Sequence, residues 1–328
     1  HSRRHGLWIR AFAGMTTGEA GDVAAQTRYP CPRMIEAEFI AALRRLPLHP
    51  GALGLADDTA RLGGFILTTD TLVEGVHFLP GDPAEDVAWK LLATNLSDLA
   101  AKGARPEAVL LNHPLGDDRW DRAFLAGLGA ALAAFDCALL GGDTVSLPPG
   151  APRVLTLTAI GADAIAPARS GARPGDDLWV TGTIGDAGAG LAIARGADGP
   201  AALLAAYRRP RPHLSEGRLL APHVHAMMDV SDGLLIDAWR MAAASGCAVT
   251  IDLAQVPLSP DYRVFGGDAL AAATAGDDYQ LLFAAAPGAP IPAPATRIGR
   301  FAEGAGLALT DGDRAVPLPP RLGFEHRA

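Results

Sequence analysis

The sequence contains almost no lysine. Of its 28 basic residues only Lys90 and Lys102 are lysines, and neither follows a glycine-rich phosphate loop or lies in a VAIK-like strand. P-loop NTPases and protein kinases place a lysine on the nucleotide phosphates through those two patterns. The sequence therefore excludes both classes.

Cysteine is also scarce. Cys31, Cys137 and Cys247 are far apart in the chain and form no CxxC pair. Disulfide frameworks and structural zinc sites need several cysteines at characteristic spacings. We expect neither, and the cysteine content predicts a protein of the reducing cytoplasm.

Long apolar runs and an excess of positive charge are missing too. The nearest candidate for a membrane span, residues 123–135, is shorter than the roughly 18 apolar residues that cross a bilayer. We interpret it as a buried helix and expect no membrane partner. The net charge of −8 disfavours nucleic acid as a partner, because phosphate binding depends on clustered Lys and Arg.

Length and composition indicate a globular protein of two domains. The chain has 328 residues, 49% of them hydrophobic, and a domain usually has about 100 to 200 residues. Pro167 and the turn-rich stretch 171–176 mark a boundary. We predict a disordered extension outside the fold over residues 1–33, a first domain over 34–165 and a second over 166–328.

Apolar spacing predicts alternating strands and helices in both domains. The predicted helices cover residues 36–46, 84–102, 120–135, 187–194 and 233–244, and the predicted strands cover residues 65–70, 108–112, 137–140, 154–160, 178–181, 248–253 and 279–284. The predicted fold class is therefore α/β (α+β).

Aspartates beside small or hydroxyl residues recur along the chain, most of them at predicted turns directly after strands. They are Asp57, Asp58, Asp70, Asp98, Asp143, Asp229 and Asp232. Carboxylate oxygens suit hard cations, so the set predicts a magnesium site. A single Asp before Gly or Thr is more often a turn residue or a helix cap, so the prediction depends on the whole set.

Three further features have two interpretations each. The glycine-rich stretch 182–190 lacks the third glycine of GxGxxG, because Ile193 takes that place, which favours a tight strand-to-helix turn over a phosphate loop. A single histidine such as His77 is more often packed or exposed than a ligand. Arg169 and Arg173 form either a solvated surface pair or bidentate phosphate contacts.

Six motifs, in this order, resemble those of the thiamine-monophosphate kinases. They are Thr69-Asp-Thr-Leu-Val-Glu-Gly-Val-His-Phe78, Asn95-Leu-Ser-Asp-Leu-Ala100, Gly141-Gly-Asp-Thr144, Arg169-Ser-Gly-Ala-Arg-Pro-Gly-Asp176, Asp229-Val-Ser-Asp-Gly-Leu234 and Gly276-Asp-Asp-Tyr279. The resemblance implies the two-domain fold of the aminoimidazole ribonucleotide synthetase-like superfamily and a homodimer paired through the N-terminal sheet. It also implies ATP-dependent, Mg²⁺-assisted phosphorylation of thiamine monophosphate to thiamine diphosphate.

The resemblance also implies roles for individual residues. The magnesium ligands would be Asp57, Thr68, Thr69, Asp70, Asp98, Asp143, Asp229 and Asp232, with Asp70, Asp98 and Asp143 central to catalysis. The nucleotide contacts would be Gly142, Arg169 and Ser231. The substrate side would contain His77, Asp277 and Phe324, the last in Gly323-Phe-Glu-His326.

The sequence departs from the family pattern at three motifs. Ala56 precedes the aspartate pair where the family usually has Gly, and Asp277 and Gln280 stand where it usually has Glu. The C-terminal aromatic motif, Gly323-Phe-Glu-His326, is only partly kept. Two alternatives therefore stay open. One is another ATP-using member of the superfamily, similar to aminoimidazole ribonucleotide synthetase or selenophosphate synthetase, and the other is an inactive metal- and nucleotide-binding homologue.

The implied chemistry needs no general base. A phosphate acceptor has a second pKa near 6, so at neutral pH it is mostly a dianion and already nucleophilic. The barrier is the approach of two polyanions. Because lysine is so scarce, we expect metal ions to supply the positive charge between them.

Overall fold

The computed structural model of the protein describes residues 36–325. The predicted extension over residues 1–33, Cys31 and His326 lie outside the described residues. In the described part of the chain, no helix is both long enough and apolar enough to cross a membrane.

Helices and strands alternate along the described chain. The helices are α1 (Glu36–Leu43), α2 (Ala84–Ala101), α3 (Asp118–Ala134), α4 (Asp186–Ala194), α5 (Ala201–Arg208), α6 (Leu214–Leu220), α7 (Leu234–Ser245), α8 (Pro260–Phe265) and α9 (Ala269–Thr274). The strands are β1 (Ala60–Leu62), β2 (Phe65–Val73), β3 (Arg105–Leu115), β4 (Ala138–Ser146), β5 (Val154–Ala162), β6 (Asp177–Thr181), β7 (Ala226–Asp229), β8 (Ala248–Asp252), β9 (Leu281–Ala285), β10 (Ala295–Ala302), β11 (Gly306–Asp311) and β12 (Arg314–Val316). The mixed α/β class is confirmed.

The strands form two mixed sheets. The first has the order β1-β2-β5-β3-β4 and the second the order β12-β11-β8-β10-β6-β9-β7. The chain passes between them after Ala162 and before Asp177. The domain boundary predicted after residue 165 falls in this connection and stays a prediction.

Helix α2 lies at the centre of the molecule. Fourteen of its 18 residues are buried, so it is an interior helix rather than a surface one. Leu91 and Leu96 pack with Leu157 of the first sheet, while Ala101 near its C-terminal end packs with Phe283 of the second. Because α2 touches both sheets, its polar residues reach the space between them.

Helix α3 is buried on one face only. Phe124 and Leu128 are buried, whereas Leu125 between them is 61% exposed. The interpretation of residues 123–135 as a buried helix was therefore wrong for half of its surface, because α3 packs on α2 and leaves its other side uncovered.

Two predicted strands have different ends in the structure. We expected a strand over residues 137–140 to end at Gly141, but β4 continues to Ser146 because Gly142 and Asp143 stay paired with β3. Strand β9 begins at Leu281 rather than 279. Tyr279 has a φ of 51° and Asp277 one of 69°, which are left-handed conformations that a strand does not accommodate.

Candidate active site

A cavity of about 810 Å³ lies between β2, α2 and the loops that follow β7 and precede β9. Eight of the residues singled out from the sequence line it: Asp70, His77, Asp98, Asp229, Ser231, Asp232, Asp277 and Phe324. These residues are up to 254 positions apart in the sequence, and folding brings them to one space.

The aspartates of this cavity do not share one type of backbone position. Asp70 lies inside β2, Asp98 inside α2 and Asp229 at the last position of β7. Only Asp232 lies in a turn after a strand. The expectation that most of these carboxylates follow strands was wrong, because strand pairing extends β2 beyond Asp70 and α2 extends over Asp98.

Burial and mutual repulsion make ionisation of these carboxylates unfavourable. Burial, followed by the charges of Asp58 and Asp232, raises the pKa of Asp70 to about 6. Burial and the charge of Asp58 raise the pKa of Asp229 to about 8. The pKa of Asp98 lies well above its ordinary range, through burial and then the charges of Asp70 and Asp229. Positive charge in the cavity would relieve this repulsion.

Uncharged side chains hold the carboxylates in place. The Thr68 hydroxyl donates a hydrogen bond to Asp98, and Ser97 Oγ donates to Asp229 Oδ2 at 2.6 Å. Asn95 Oδ1 accepts from the backbone N–H of Asp70 at 3.1 Å. Asn95 and Ser97 were missed as individual residues, although both belong to the quoted Asn-Leu-Ser-Asp motif.

The set of oxygen donors fits hard divalent cations such as Mg²⁺. Carboxylates with raised pKa values and the hydroxyl of Thr68 come together there, and oxygen ligands of this kind are the ones that such cations prefer. Within residues 36–325, however, no three His, Cys, Asp or Glu side chains come together closely enough to hold one ion. The aspartates share a cavity and an electrostatic field without forming a complete ligand shell.

Asp57 and Asp58 differ sharply although they are adjacent. Lys102 Nζ lies 2.5 Å from Asp57 Oδ1 and 3.2 Å from Asp58 Oδ2, and Arg169 pairs with the other oxygen of Asp58. Burial alone would raise the pKa of Asp58, but Lys102 and Arg169 hold it below its ordinary value. Asp58, rather than Asp57, adds its charge to the field at Asp70, Asp98 and Asp229.

Lys102 places one buried positive charge beside Asp57 and Asp58, and the expectation that metal ions supply the charge between the two phosphate groups stays a prediction. The Lys102 side chain is fully buried and also donates to the carbonyl oxygens of Pro167 and Met227, at 3.3 and 3.2 Å. One of the two lysines thus lies beside the acidic cavity. The sequence did not indicate this position for Lys102, because the residue lies outside the known phosphate-loop patterns.

Lys102→Met is expected to destabilise the protein by about 3–5 kcal/mol, because it leaves buried carboxylates without their cation. Urea unfolding in metal-free buffer measures this loss. Lys102→Met combined with Asp57→Asn is the matched control, and it should recover part of the lost stability. Equal stability of Lys102→Met and wild type would contradict this reading of the ion pair.

The loop that carries Ser231 and Asp232 is held by a residue that the sequence analysis missed. The carboxylate of Asp237, in the first turn of α7, accepts hydrogen bonds from the backbone N–H groups of Ser231, Asp232 and Gly233 at 3.0–3.2 Å. Arg240 contacts both Asp232 and Asp237. Asp237 looks in the sequence like an ordinary charged residue on a helix surface. Its position five residues after Asp232 therefore did not indicate that it holds this loop.

Three predicted residues lie away from the cavity. Thr69 faces the other side of the first sheet, where its hydroxyl donates to the carbonyl oxygen of Leu157 and accepts from the hydroxyl of Thr158, both in β5. Asp143 and Gly142 lie on the exposed edge strand β4. Asp143 pairs with Asn112, Asn112 with Thr156, and Thr156 with Thr71, so three strand spacings, about 14 Å, separate Asp143 from β2.

The substrate-side residues His77, Asp277 and Phe324 all line the cavity. His77 Nδ1 accepts from the backbone N–H of Val73 at 3.0 Å. The backbone N–H of Phe324 donates to the carbonyl of Asp232 at 2.8 Å, which holds the C-terminal segment against the cavity. Phe324 is 42% exposed and lines the cavity.

Comparison with known proteins agrees with the two-domain fold. Residues 56–162 match the N-terminal domain, and residues 173–312 the C-terminal domain, of AIR synthase related proteins. The solved structure AaThiL complexed with AMPPCP and TMP superposes with a TM-score of 0.80 at 29% identity, covering 89% of this chain and 97% of that one. Thiamine monophosphate kinase from Aquifex aeolicus superposes with a TM-score of 0.72 at 31% identity, covering 80% and 92%.

The sequence comparison agrees with these superpositions. The curated thiamine-monophosphate kinase of Caulobacter vibrioides is 40% identical to this chain, and the match covers 89% of this chain and 90% of the relative. The match therefore extends over almost the whole of both proteins. The chain therefore belongs to the thiamine-monophosphate kinase family.

Proposed function

We propose that this protein transfers the terminal phosphoryl group of ATP to thiamine monophosphate and forms thiamine diphosphate. The observation that carries the proposal is the single cavity in which the acidic residues, His77, Asp277 and Phe324 meet. The AaThiL structure, solved with AMPPCP and TMP, supports the choice of substrates.

The chemistry of the cavity suits an acceptor that needs no deprotonation. The phosphate of the acceptor is already nucleophilic at neutral pH, so the transfer needs no general base. The aspartates would serve to bind cations and to position the two phosphate groups. Bound Mg²⁺ would supply positive charge between the donor and acceptor phosphates.

The residues that would hold Mg²⁺ on this side of the sheet are Thr68, Asp70, Asp98, Asp229 and Asp232. Asp58 is a stronger candidate than Asp57, because its charge acts on this cluster while Asp57 faces Lys102. If Arg169 moved its contact from Asp58 to a phosphate, the carboxylate of Asp58 would become available to a cation.

The nucleotide would contact Ser231, Arg169 and Gly142. Arg169 supports this role because its Nε is buried and has no hydrogen-bond partner within residues 36–325, while its Nη2 pairs with Asp58. A guanidinium with a spare buried donor suits a phosphate oxygen. Ser231 lines the cavity next to Asp232.

A homodimer would complete this site. The outer face of the first sheet carries exposed apolar side chains, among them Phe65, Leu110, Val145 and Val154, and β4 leaves one edge unpaired. Asp143 and Thr69 lie on that same face. A second copy of the chain would cover the apolar surface, and we infer that the partner's Asp143 is its contribution to the site.

Two buried, unpaired cysteines, Cys137 and Cys247, support residence in the reducing cytoplasm.

Incubation of the purified chain with ATP, Mg²⁺ and thiamine monophosphate tests the proposal. Thiamine diphosphate and ADP should form in equal amounts, EDTA should stop the reaction, and added Mg²⁺ should restore it. A parallel assay with purine precursors tests the alternative superfamily activity. A folded protein that forms no thiamine diphosphate would overturn the proposal and favour an inactive homologue.

A further inference from the structure

Lys90, the second of the two lysines, is buried behind the cavity and does not line it. Its side chain is 2% exposed. Its Nζ lies 2.7 Å from Asp277 Oδ2, donates to the carbonyl oxygen of His77 at 3.0 Å, and stands 4.2 Å from the centre of the Tyr207 ring. One ammonium group thus contacts two segments that carry substrate-side residues.

Those two segments belong to opposite sides of the cleft. His77 follows β2 of the first sheet, whereas Asp277 precedes β9 of the second. Both line the cavity. Because Lys90 belongs to the central helix α2, it fixes the separation between them from a rigid element.

The Asp277 loop needs such restraint. Asp277 and Tyr279 both have positive φ, which non-glycine residues rarely adopt unless their surroundings hold them there. Tyr279 Oη donates to Asp277 Oδ1 at 3.0 Å, and burial raises the Tyr279 pKa well above its ordinary value, so the hydroxyl keeps its proton. Asp278 anchors the loop from the other side by accepting from the backbone N–H of Gly185 at 2.8 Å.

The charge of Lys90 also matters for an anionic acceptor. The Asp277 side chain is 30% exposed and lines a cavity that already contains several carboxylates. Without the adjacent ammonium, its full negative charge would repel a dianionic phosphate entering that end. The lysine therefore both fixes the direction of the carboxylate and offsets its charge.

We propose that Lys90 is a positioning residue for the acceptor end of the site, acting through Asp277 and the His77 segment without touching the substrate. This inference rests on the proposed function, since the acceptor is the thiamine monophosphate named there. This role distinguishes Lys90 from an ordinary ion pair between domains. Asp86, which also lies in α2, forms an ordinary pair of that kind with Arg209.

The test is steady-state kinetics of Lys90→Met with each substrate varied in turn. The KM for thiamine monophosphate should rise roughly ten- to a hundredfold, as expected for loss of a hydrogen bond to a charged group, while the KM for ATP stays within about threefold. Lys90→Gln, which keeps a donor but not the charge, replaces the methionine variant if that variant fails to fold. Arg209→Gln is the matched control and should leave both KM values within about twofold.

A double-mutant cycle shows whether Lys90 acts through Asp277. Lys90→Met combined with Asp277→Asn should raise the KM for thiamine monophosphate no further than the larger single effect. An unchanged KM for thiamine monophosphate in the folded Lys90 variant, an equal rise in both KM values, or multiplied effects in the double variant would each overturn the inference. A wild-type protein without activity would instead overturn the proposed function.

Discussion

Asp70→Asn is expected to lower kcat about 10²- to 10³-fold or more, comparable with removal of a preorganised electrostatic group from an active site. Asp70 lies inside β2, where the backbone is fixed by pairing with β5 and by Asn95. The amide of asparagine fills the same volume but carries no charge to attract a cation. The loss should therefore appear in turnover and in Mg²⁺ affinity, measured by a coupled ADP assay across a range of Mg²⁺ concentrations.

In the absence of metal, Asp70→Asn should be at least as stable as wild type, although its turnover falls. Burial and neighbouring carboxylates raise the pKa of Asp70 to about 6 from an ordinary 3.8. Ionisation of an acid whose pKa is raised by folding destabilises the folded state, progressively between those two values and fully above them. Asparagine never ionises, so without metal Asp70→Asn should be at least as stable as wild type at about pH 8, and this advantage should vanish below about pH 4.

Asp118→Asn provides the control for both measurements. Asp118 is an exposed carboxylate at the start of α3, paired with Arg122 on the same helix, so turnover and stability should stay close to those of wild type. Thermal unfolding with and without Mg²⁺ separates the two effects of Asp70→Asn. If Asp70→Asn keeps wild-type turnover, or if Mg²⁺ stabilises it as much as it stabilises wild type, then Asp70 does not belong to the proposed metal site.

The period-two alternation of a strand determines part of this site. Within Thr68-Thr69-Asp70 the middle residue must face away from its neighbours, so a single face of β2 never holds all three. The sequence therefore already contained the information that Thr69 belongs to the other side of the sheet. The prediction of one cluster ignored this alternation and followed the motif.

Other features of the site depend on contacts that no local pattern encodes. Lys102 meets Asp58 across 44 residues and Lys90 meets Asp277 across 187. Asp57 and Asp58 have the same side chain and adjacent positions, so only the folded backbone decides which of them adds its charge to the field at Asp70 and Asp98. Asn95 and Ser97 lie in the same motif as Asp98, but their partners, the backbone N–H of Asp70 and the carboxylate of Asp229, belong to other elements and gave no local signal.

Asp143→Asn and Asp70→Asn are expected to be inactive as homodimers but to complement each other when paired. If the partner subunit's Asp143 completes each site, a heterodimer of the two variants has one site with both carboxylates intact and one with neither. Two affinity tags on co-expressed chains allow its isolation. Its turnover should be about half that of the wild-type dimer, because one of two equivalent sites is complete. Sedimentation velocity confirms that each preparation is a dimer.

The reciprocal heterodimer distinguishes action between subunits from action within one. It pairs a wild-type chain with a chain carrying both substitutions, so it contains the same two changes in a different arrangement. If Asp143 acts on the partner's site, each site lacks one carboxylate and the heterodimer should be nearly inactive. If Asp143 acts within its own subunit, the wild-type chain should retain about half of the activity. The span of three strands between Asp143 and β2 favours the first result, since no side chain of this sheet bridges about 14 Å along its face.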